Sequence, residues 1–232
     1  MRRLGRQEVD NKTGSLDIVI PYMGGQAGRG EALAITLAAL GSDPRTNIIV
    51  STCEPPWRPS LTRNTGARRN AAPWILFLDA DMAIEPEGIN KILSMSLGDK
   101  EMVCLASWWN TPETHIIQTE GDYLVNPPKC YLKPYSPEWW EWEFNRAQSQ
   151  WQPRVRDSFY GPFLMSRTFF DQIGGWDEDF IGWGGEDDAL VHYAKKFGVL
   201  RRDTTVRFIH LPHARCIGNP ANFGILMRKT RS

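Results

Sequence analysis

The sequence predicts an α/β domain, a mostly parallel sheet flanked by helices, and three observations predict it. Short apolar or β-branched runs recur along the chain, and helix-like stretches separate them at the spacing of strand–helix–strand units. The run Trp74 to Leu78 is apolar throughout, as strands buried on both faces are. Carboxylates or histidines follow two of the runs directly, where open sheets of this class bind ligands.

The elements follow in order. Leu16 to Tyr22 forms a first strand ended by Pro21, and a Gly-rich turn runs from Met23 to Gly30. Residues 31–40 form a helix with Leu33, Leu37 and Leu40 on one face. Asn47 to Thr52 is a second strand, Ser60 to Ala72 a helix, and Trp74 to Leu78 a third strand. Pro86, well suited to a first turn, opens a helix to Leu97, and Glu101 to Ser107 is a fourth strand. Residues 108–157 are rich in Trp, Pro and Tyr and read as an elaborated loop insertion with a hairpin around Tyr123 to Leu132. Phe159 to Ser166 resumes as a strand, Arg167 to Ile173 is a helix stopped by Gly174-Gly175, and Gly185 to Phe197 is a longer helix. Val206 to Leu211 is the last strand. These elements predict one domain over residues 16–215, with halves at 16–107 and 108–215, a flexible arm at 1–15 and an unpatterned tail at 216–232.

Composition narrows the function. Lys plus Arg and Asp plus Glu number 27 each, so no net charge or basic stripe points to nucleic acid. No apolar run reaches the ~18 residues of a membrane span. Four cysteines without a C-x-x-C pair predict free thiols and a reducing compartment, hence the cytoplasm, free or peripheral at a membrane. Ten Trp predict that several line a cleft or an interface.

Three constellations carry chemistry. Asp79-Ala80-Asp81 follows the third strand, so two carboxylates emerge at the ligand-binding edge, where they suit a hard cation that also takes diphosphate oxygens. The bland reading is that Asp79 caps a turn or helix and Asp81 is solvated. Residues 174–188 read Gly-Gly-Trp-Asp-Glu-Asp-Phe-Ile-Gly-Trp-Gly-Gly-Glu-Asp-Asp. Glu186, Asp187 and Asp188 suit the first turn of a helix, where the macrodipole favours anions, yet a helix start needs no Gly-Trp-Gly-Gly leader. His210 and His213 stand at the end of the last strand, where either can join Asp81 as a metal ligand.

The segments Ile-Val-Ile-Pro-Tyr, Leu-Thr-Arg-Asn-Thr-Gly-Ala and Trp-Ile-Leu-Phe-Leu-Asp-Ala-Asp resemble the nucleotide-binding half of family 2 GT-A (Rossmann-like) glycosyltransferases. The resemblance implies a nucleotide-sugar donor held by Pro21, Tyr22, Glu54, Arg63, Asn64, Asp79 and Ala80, with Asp81 on the metal. Gly-Trp-Gly-Gly-Glu-Asp-Asp is similar to the C-terminal motif of β-1,4-galactosyltransferases. That likeness implies Asp187, beside Glu186, as the general base, and Trp183 with Gly184 as a loop closing on the donor. It also aligns His210 and His213 with a Met-x-x-His pair on manganese, so Mn2+ or Mg2+ is the expected cofactor. Retaining N-acetylgalactosaminyltransferases resemble the same region but carry Asn at the position of Asp187, so the resemblance implies inversion. UDP is the implied nucleotide, and a glycan or other hydroxyl compound the acceptor.

Trp139, Trp140, Trp142 and Trp151 can form a sugar-stacking acceptor wall, with Asp188 nearby, or can simply pack an irregular subdomain. Rival functions remain at this stage. A retaining glycosyltransferase or a sugar nucleotidyltransferase fits the strand-end carboxylates, the latter helped by the Gly-rich turn that carries Arg29. A carbohydrate-binding module fits the Trp content but has no need of Asp79, Asp81 and Asp187 together.

Overall fold

The structure, a computed structural model, describes residues 16–24, 28–111, 136–150, 161–213 and 218–231. The strands are β1 (Leu16–Pro21), β2 (Thr46–Ser51), β3 (Trp74–Phe77), β4 (Met82–Ile84), β5 (Glu101–Asn110), β6 (Phe163–Ser166) and β7 (Val199–His210). The helices are α1 (Arg29–Leu40), α2 (Pro59–Ala67), α3 (Gly88–Leu93), α4 (Pro137–Gln150), α5 (Arg167–Gln172), α6 (Glu186–Phe197) and α7 (Pro220–Thr230). The strands form one seven-stranded sheet in the order β2-β1-β3-β6-β5-β7-β4.

The sheet is mostly parallel, as expected, with two exceptions. β6 runs antiparallel to both β3 and β5, and β4 runs antiparallel to β7. β4 was not expected at all: its three residues lie between the Asp79-Ala80-Asp81 turn and Pro86, too short to show a period. β7 starts at Val199, well before Val206, because its polar first half pairs with β5 from Glu101 onward. The boundary expected at residue 107 falls inside β5.

Alternation along the strands builds two cores. Leu16, Ile18 and Ile20 of β1 pack on one face with Ile35 and Leu40 of α1, Ile89 of α3, and Trp140 and Phe144 of α4. Val19 packs on the other face with Ala67 of α2, Phe169 and Phe170 of α5, and Leu190 and Ala194 of α6.

Two regions correct the sequence reading. Residues 137–150, read as loop, form α4, and residues 220–230, read as unpatterned tail, form α7. In α4 the aromatic stretch is a helical stripe: Trp140, Phe144 and Ala147 are all buried, and Trp140 stacks on Phe144 at 4.8 Å. Trp140 has no exposed surface and Trp139 is buried, so neither offers a face to a sugar. Trp142 alone of the three points outward, 54% exposed, with Arg146 over its ring at 5.1 Å. Trp151 and the hairpin expected at 123–132 lie outside the described residues. Cys53 and Cys104 are free thiols, and burial pushes Cys104 up to about 12. None of the described helices is long and apolar enough to cross a membrane.

The burial of Trp140 sets a stability prediction. Trp140→Ala should cost about 3–5 kcal/mol in chemical denaturation, and Trp142→Ala no more than about 0.5 kcal/mol. Equal losses at both positions would contradict the orientation of α4.

Candidate active site

The first and third constellations meet through strand pairing. β3 ends at Phe77, the chain turns with the Met82 amide donating to the Asp79 carbonyl at 3.2 Å, and β4 begins. The antiparallel register sets Met82 opposite His210, and the Leu211 amide donates to the Asp81 carbonyl at 2.8 Å. On its other side His210 is level with Asn110 of β5. Asp81 Oδ2 therefore lies 3.0 Å from His213 Nε2, and Oδ1 3.6 Å from His210 Nε2. One ligand atom from each of the three residues falls within 4.8 Å of the others.

The chemistry of these atoms suits a divalent cation. His210 Nδ1 is 2.9 Å from Asn110 Oδ1, and an amide oxygen only accepts, so Nδ1 carries the proton and Nε2 keeps its lone pair. A ring fixed in this way is oriented as metal-bound histidines usually are. Burial draws the His210 pKa down to about 4, which keeps the ring neutral. Burial would raise Asp81, but His213 first and Arg29 with it outweigh burial and hold the carboxyl below its usual range. One anionic oxygen and two imidazoles form a donor set that Mn2+ fits and that Mg2+, which prefers oxygen, fits less well.

The second constellation joins the first through Arg63. Its Nη2 donates to Asp79 Oδ1 at 2.8 Å, its Nη1 lies 3.6 Å from Glu186 Oε1, and its guanidinium covers the Trp176 ring at 4.3 Å. With 3% of its surface exposed, Arg63 braces the carboxylates from beneath. Glu186 is equally buried, and its Oε2 accepts from the Gly184 amide at 2.9 Å. Gly185 precedes α6 at φ 88°, where a Cβ would come 2.9 Å from the Phe180 ring. Asp187, partly exposed in the same first turn, is raised well above the ordinary carboxylate range by burial and by the charges of Glu186 and Asp79, which exceed the pull of Arg63. Glu186 is raised too, first by burial.

Asn64 has a structural position. Its Oδ1 accepts from the Trp176 amide at 3.0 Å, and its Nδ2 donates to the Trp176 carbonyl and to Glu178 Oε1, each at 2.8 Å. Pro21 is buried within β1, and Tyr22 is part-exposed just beyond it, its amide donating to the Ser51 carbonyl. Ala80 is buried, and its carbonyl accepts from the Thr36 hydroxyl at 3.0 Å. Glu54 is exposed in the turn after β2, and Asp188 is part-exposed beside Asp187.

Four further residues were not read as site residues. Arg29 opens α1 with Nη1 4.0 Å from Asp81 Oδ2 and Nη2 3.5 Å from His213 Nδ1. Gly28 before it has φ 79°, and a Cβ there would come 3.2 Å from the Pro212 carbonyl and 3.3 Å from His213 Cα, so glycine lets the histidine segment close on α1. Asn110 is the second, and nothing in the sequence marks it, because the fourth strand was expected to end at Ser107 while β5 runs on to Asn110. Asn219 and Asn222 of the α7 start are the others: the Asn219 amide donates to the Trp183 carbonyl at 2.8 Å, and both side chains donate to the Ile181 carbonyl. Trp183 also packs against Trp57, centroids 6.1 Å apart, and over Arg29 at 5.3 Å.

Substitution at the triad separates ligands from orienting residues. Asp81→Ala and His213→Ala should abolish Mn2+ binding measured by titration calorimetry. Asn110→Ala should weaken it about 10–100-fold through loss of ring orientation, and unchanged affinity in all three would remove the site.

Comparison with known proteins agrees with this geometry. The sequence profile described as glycosyl transferase family 2 matches residues 32–174, and one described as the N-terminal domain of galactosyltransferase matches residues 143–214. The chain is 26% identical over 187 residues to validoxylamine A glucosyltransferases of Streptomyces hygroscopicus subsp. jinggangensis and subsp. limoneus. The match covers 74% of this chain but 43% and 40% of theirs, so the chain spans less than half the length of these curated relatives. In fold it is similar to the catalytic domain of Drosophila β1,4-galactosyltransferase 7 in complex with xylobiose (TM-score 0.51, 15% identity, 85% of this chain and 70% of that one). A mutant of that enzyme in complex with manganese, UDP-Gal and xylobiose gives a TM-score of 0.52 at the same identity and coverage. GalNAc-T7 with UDP, GalNAc and Mn2+ gives 0.61, at 14% identity over 96% of this chain and 48% of that one. The seven-stranded sheet with flanking helices is thus the GT-A arrangement. The family 2 profile spans well over half of the sequence, and the chain belongs to glycosyl transferase family 2.

Proposed function

We propose that residues 16–215 form a metal-dependent, inverting glycosyltransferase domain that moves a sugar from a UDP-linked donor to a hydroxyl of a glycan or similar acceptor. The observation that carries this reading is the convergence of Asp81, His210 and His213 on one point beside the Arg63-braced pair Asp79 and Glu186. The manganese and UDP-sugar bound by the structural neighbours support the choice of cofactor and donor, and their xylobiose supports a sugar acceptor. The free thiols of Cys53 and Cys104 support a reducing compartment such as the cytoplasm.

A cation held by Asp81, His210 and His213 supplies the positive charge that stabilises a departing nucleoside diphosphate. The chain's own residues do the rest. Arg63 holds Asp79 and Glu186 in place, and the Glu186 carboxylate fixes the loop carrying Trp183 by taking the Gly184 amide. Asp187 accepts the proton of the acceptor hydroxyl as its oxygen attacks the anomeric carbon from the face opposite the leaving group. Burial and the neighbouring Glu186 charge raise its pKa, which makes its carboxylate a stronger base than an ordinary one. The stacking role for Trp139 and Trp140 is set aside with their burial, which leaves Trp142 among the described residues, and Trp151 outside them.

The test is UDP, GDP and dTDP release from a panel of nucleotide sugars with Mn2+, with the product's anomeric configuration read by NMR. UDP release from one donor, lost with EDTA and in Asp81→Ala, with an inverted product, is the expected result. A retained product would exclude the direct displacement assigned to Asp187. The pH profile checks the base separately. A carboxyl with raised pKa is protonated at low pH, so turnover should climb as pH rises through an ionisation above the normal carboxylate range. Asp187→Asn should lose turnover by about 10²-fold or more and abolish that limb while leaving Mn2+ affinity unchanged.

A further inference from the structure

Arg29 is the charged group of the metal centre to which the proposed reaction gives no part. Its position is built: it is 3% exposed, it starts α1, and it stands between the Trp183 ring at 5.3 Å and Asp81 at 4.0 Å. Guanidinium nitrogens only donate, so the contact of Nη2 with His213 Nδ1 requires a lone pair on Nδ1. The ring proton then sits on Nε2, where it donates to Asp81 Oδ2 at 3.0 Å. A metal ligated by that same Nε2 needs the proton on Nδ1 instead, facing the Arg29 donor. His213 cannot serve both at once. Like-charge repulsion acts in the same direction, because a permanent cation lies within a few ångströms of where a second cation would sit, in a buried setting that screens poorly.

A diphosphate reverses both effects. It offers oxygen acceptors in the fork geometry that a guanidinium favours, and its negative charge offsets the repulsion between the two cations. We propose that Arg29 is an interlock that makes the divalent metal and the nucleoside diphosphate bind as a unit: it opposes the metal alone and favours it once phosphate oxygens take over its donors. The proposal rests on the reading that Asp81, His210 and His213 hold a metal and that the donor is a nucleotide sugar. It also ties the Trp183 loop to the donor, because the cation beneath the indole is the group that the diphosphate engages.

The experiment measures Mn2+ affinity by electron paramagnetic resonance of the free ion, with and without UDP. It uses the full chain, Arg29→Gln, Arg29→Lys and Asp81→Ala. In the unsubstituted protein UDP should tighten Mn2+ by about tenfold or more. Arg29→Gln should bind Mn2+ alone more tightly, by about fivefold or more, and should keep little of the tightening by UDP. Arg29→Lys, which retains the charge without the fork, should stay weak for Mn2+ alone and keep part of the tightening. Arg29→Gln with unchanged affinity for Mn2+ alone and unchanged tightening overturns the interlock while leaving the metal site intact. If the unsubstituted protein shows no Mn2+ binding that Asp81→Ala abolishes, the metal reading itself fails, and the interlock fails with it. Should Arg29→Gln not fold, as judged by circular dichroism, Arg29→Lys decides: Mn2+ binding as insensitive to UDP as to buffer in a wild-type control, or full tightening with Mn2+ alone already tight in the Lys variant, overturns the proposal.

Discussion

The antiparallel pairing of β4 with β7 is the interaction on which the site depends. Three residues of β4 leave the Asp79-Ala80-Asp81 turn and lie against the end of β7, with Met82 opposite His210. A strand so short contributes little by itself, but its register is strict, because a slip of one residue would turn buried Met82 and Ile84 to the other face of the sheet. The same register carries the Leu211 amide to the Asp81 carbonyl and fixes the backbone of a carboxylate and a histidine from opposite halves of the chain. β7 in turn is held along its length by β5, which delivers Asn110 to the far side of His210.

Two arginines then connect what strand pairing cannot reach. Arg63 ties the end of β3 to the start of α6, and Arg29 stands between the histidine segment and Trp183. Both are almost fully buried, where an unpaired charge would be costly, so each fixes the geometry of the groups that compensate it. The α7 start adds a further tie: Asn219 and Asn222 bind the carbonyls of Ile181 and Trp183, so a helix that looks like a tail holds the loop between α5 and α6 that the site uses.

The legible part of this arrangement in sequence was the part written in local pattern. Asp79 and Asp81 stood out because an apolar strand ran into them, His210 and His213 because a strand ended there, and Glu186 because glycines preceded an acidic helix start. The illegible part was set by pairing across distance. No local signal marks β4 as a strand or β6 as antiparallel, since three- and four-residue runs look alike in either direction. Arg63 and Asn64 read as donor contacts because their neighbours carry a family resemblance, whereas their burial follows from Trp176 and Glu178, more than a hundred residues away. α4 was a misreading of available signal: Trp140, Phe144 and Ala147 recur at helical spacing, and Trp content drew attention to sugar stacking instead.

The carboxylates of the site are driven apart in acidity by how cations are shared among them. Asp81 has two imidazoles and Arg29 against it, and its carboxyl falls below the ordinary range despite burial. Asp79, Glu186 and Asp187 share the single guanidinium of Arg63, and Asp187, buried beside the charge of Glu186, rises well above that range. Such divergence within one cleft separates roles: the group held ionised suits a metal, and the group whose acidity is weakened is the stronger base and suits proton transfer. The chain as a whole is neutral, so this contrast owes nothing to net charge. It arises because β4 and β7 place Asp81 among bases, while the start of α6 places Asp187 among acids.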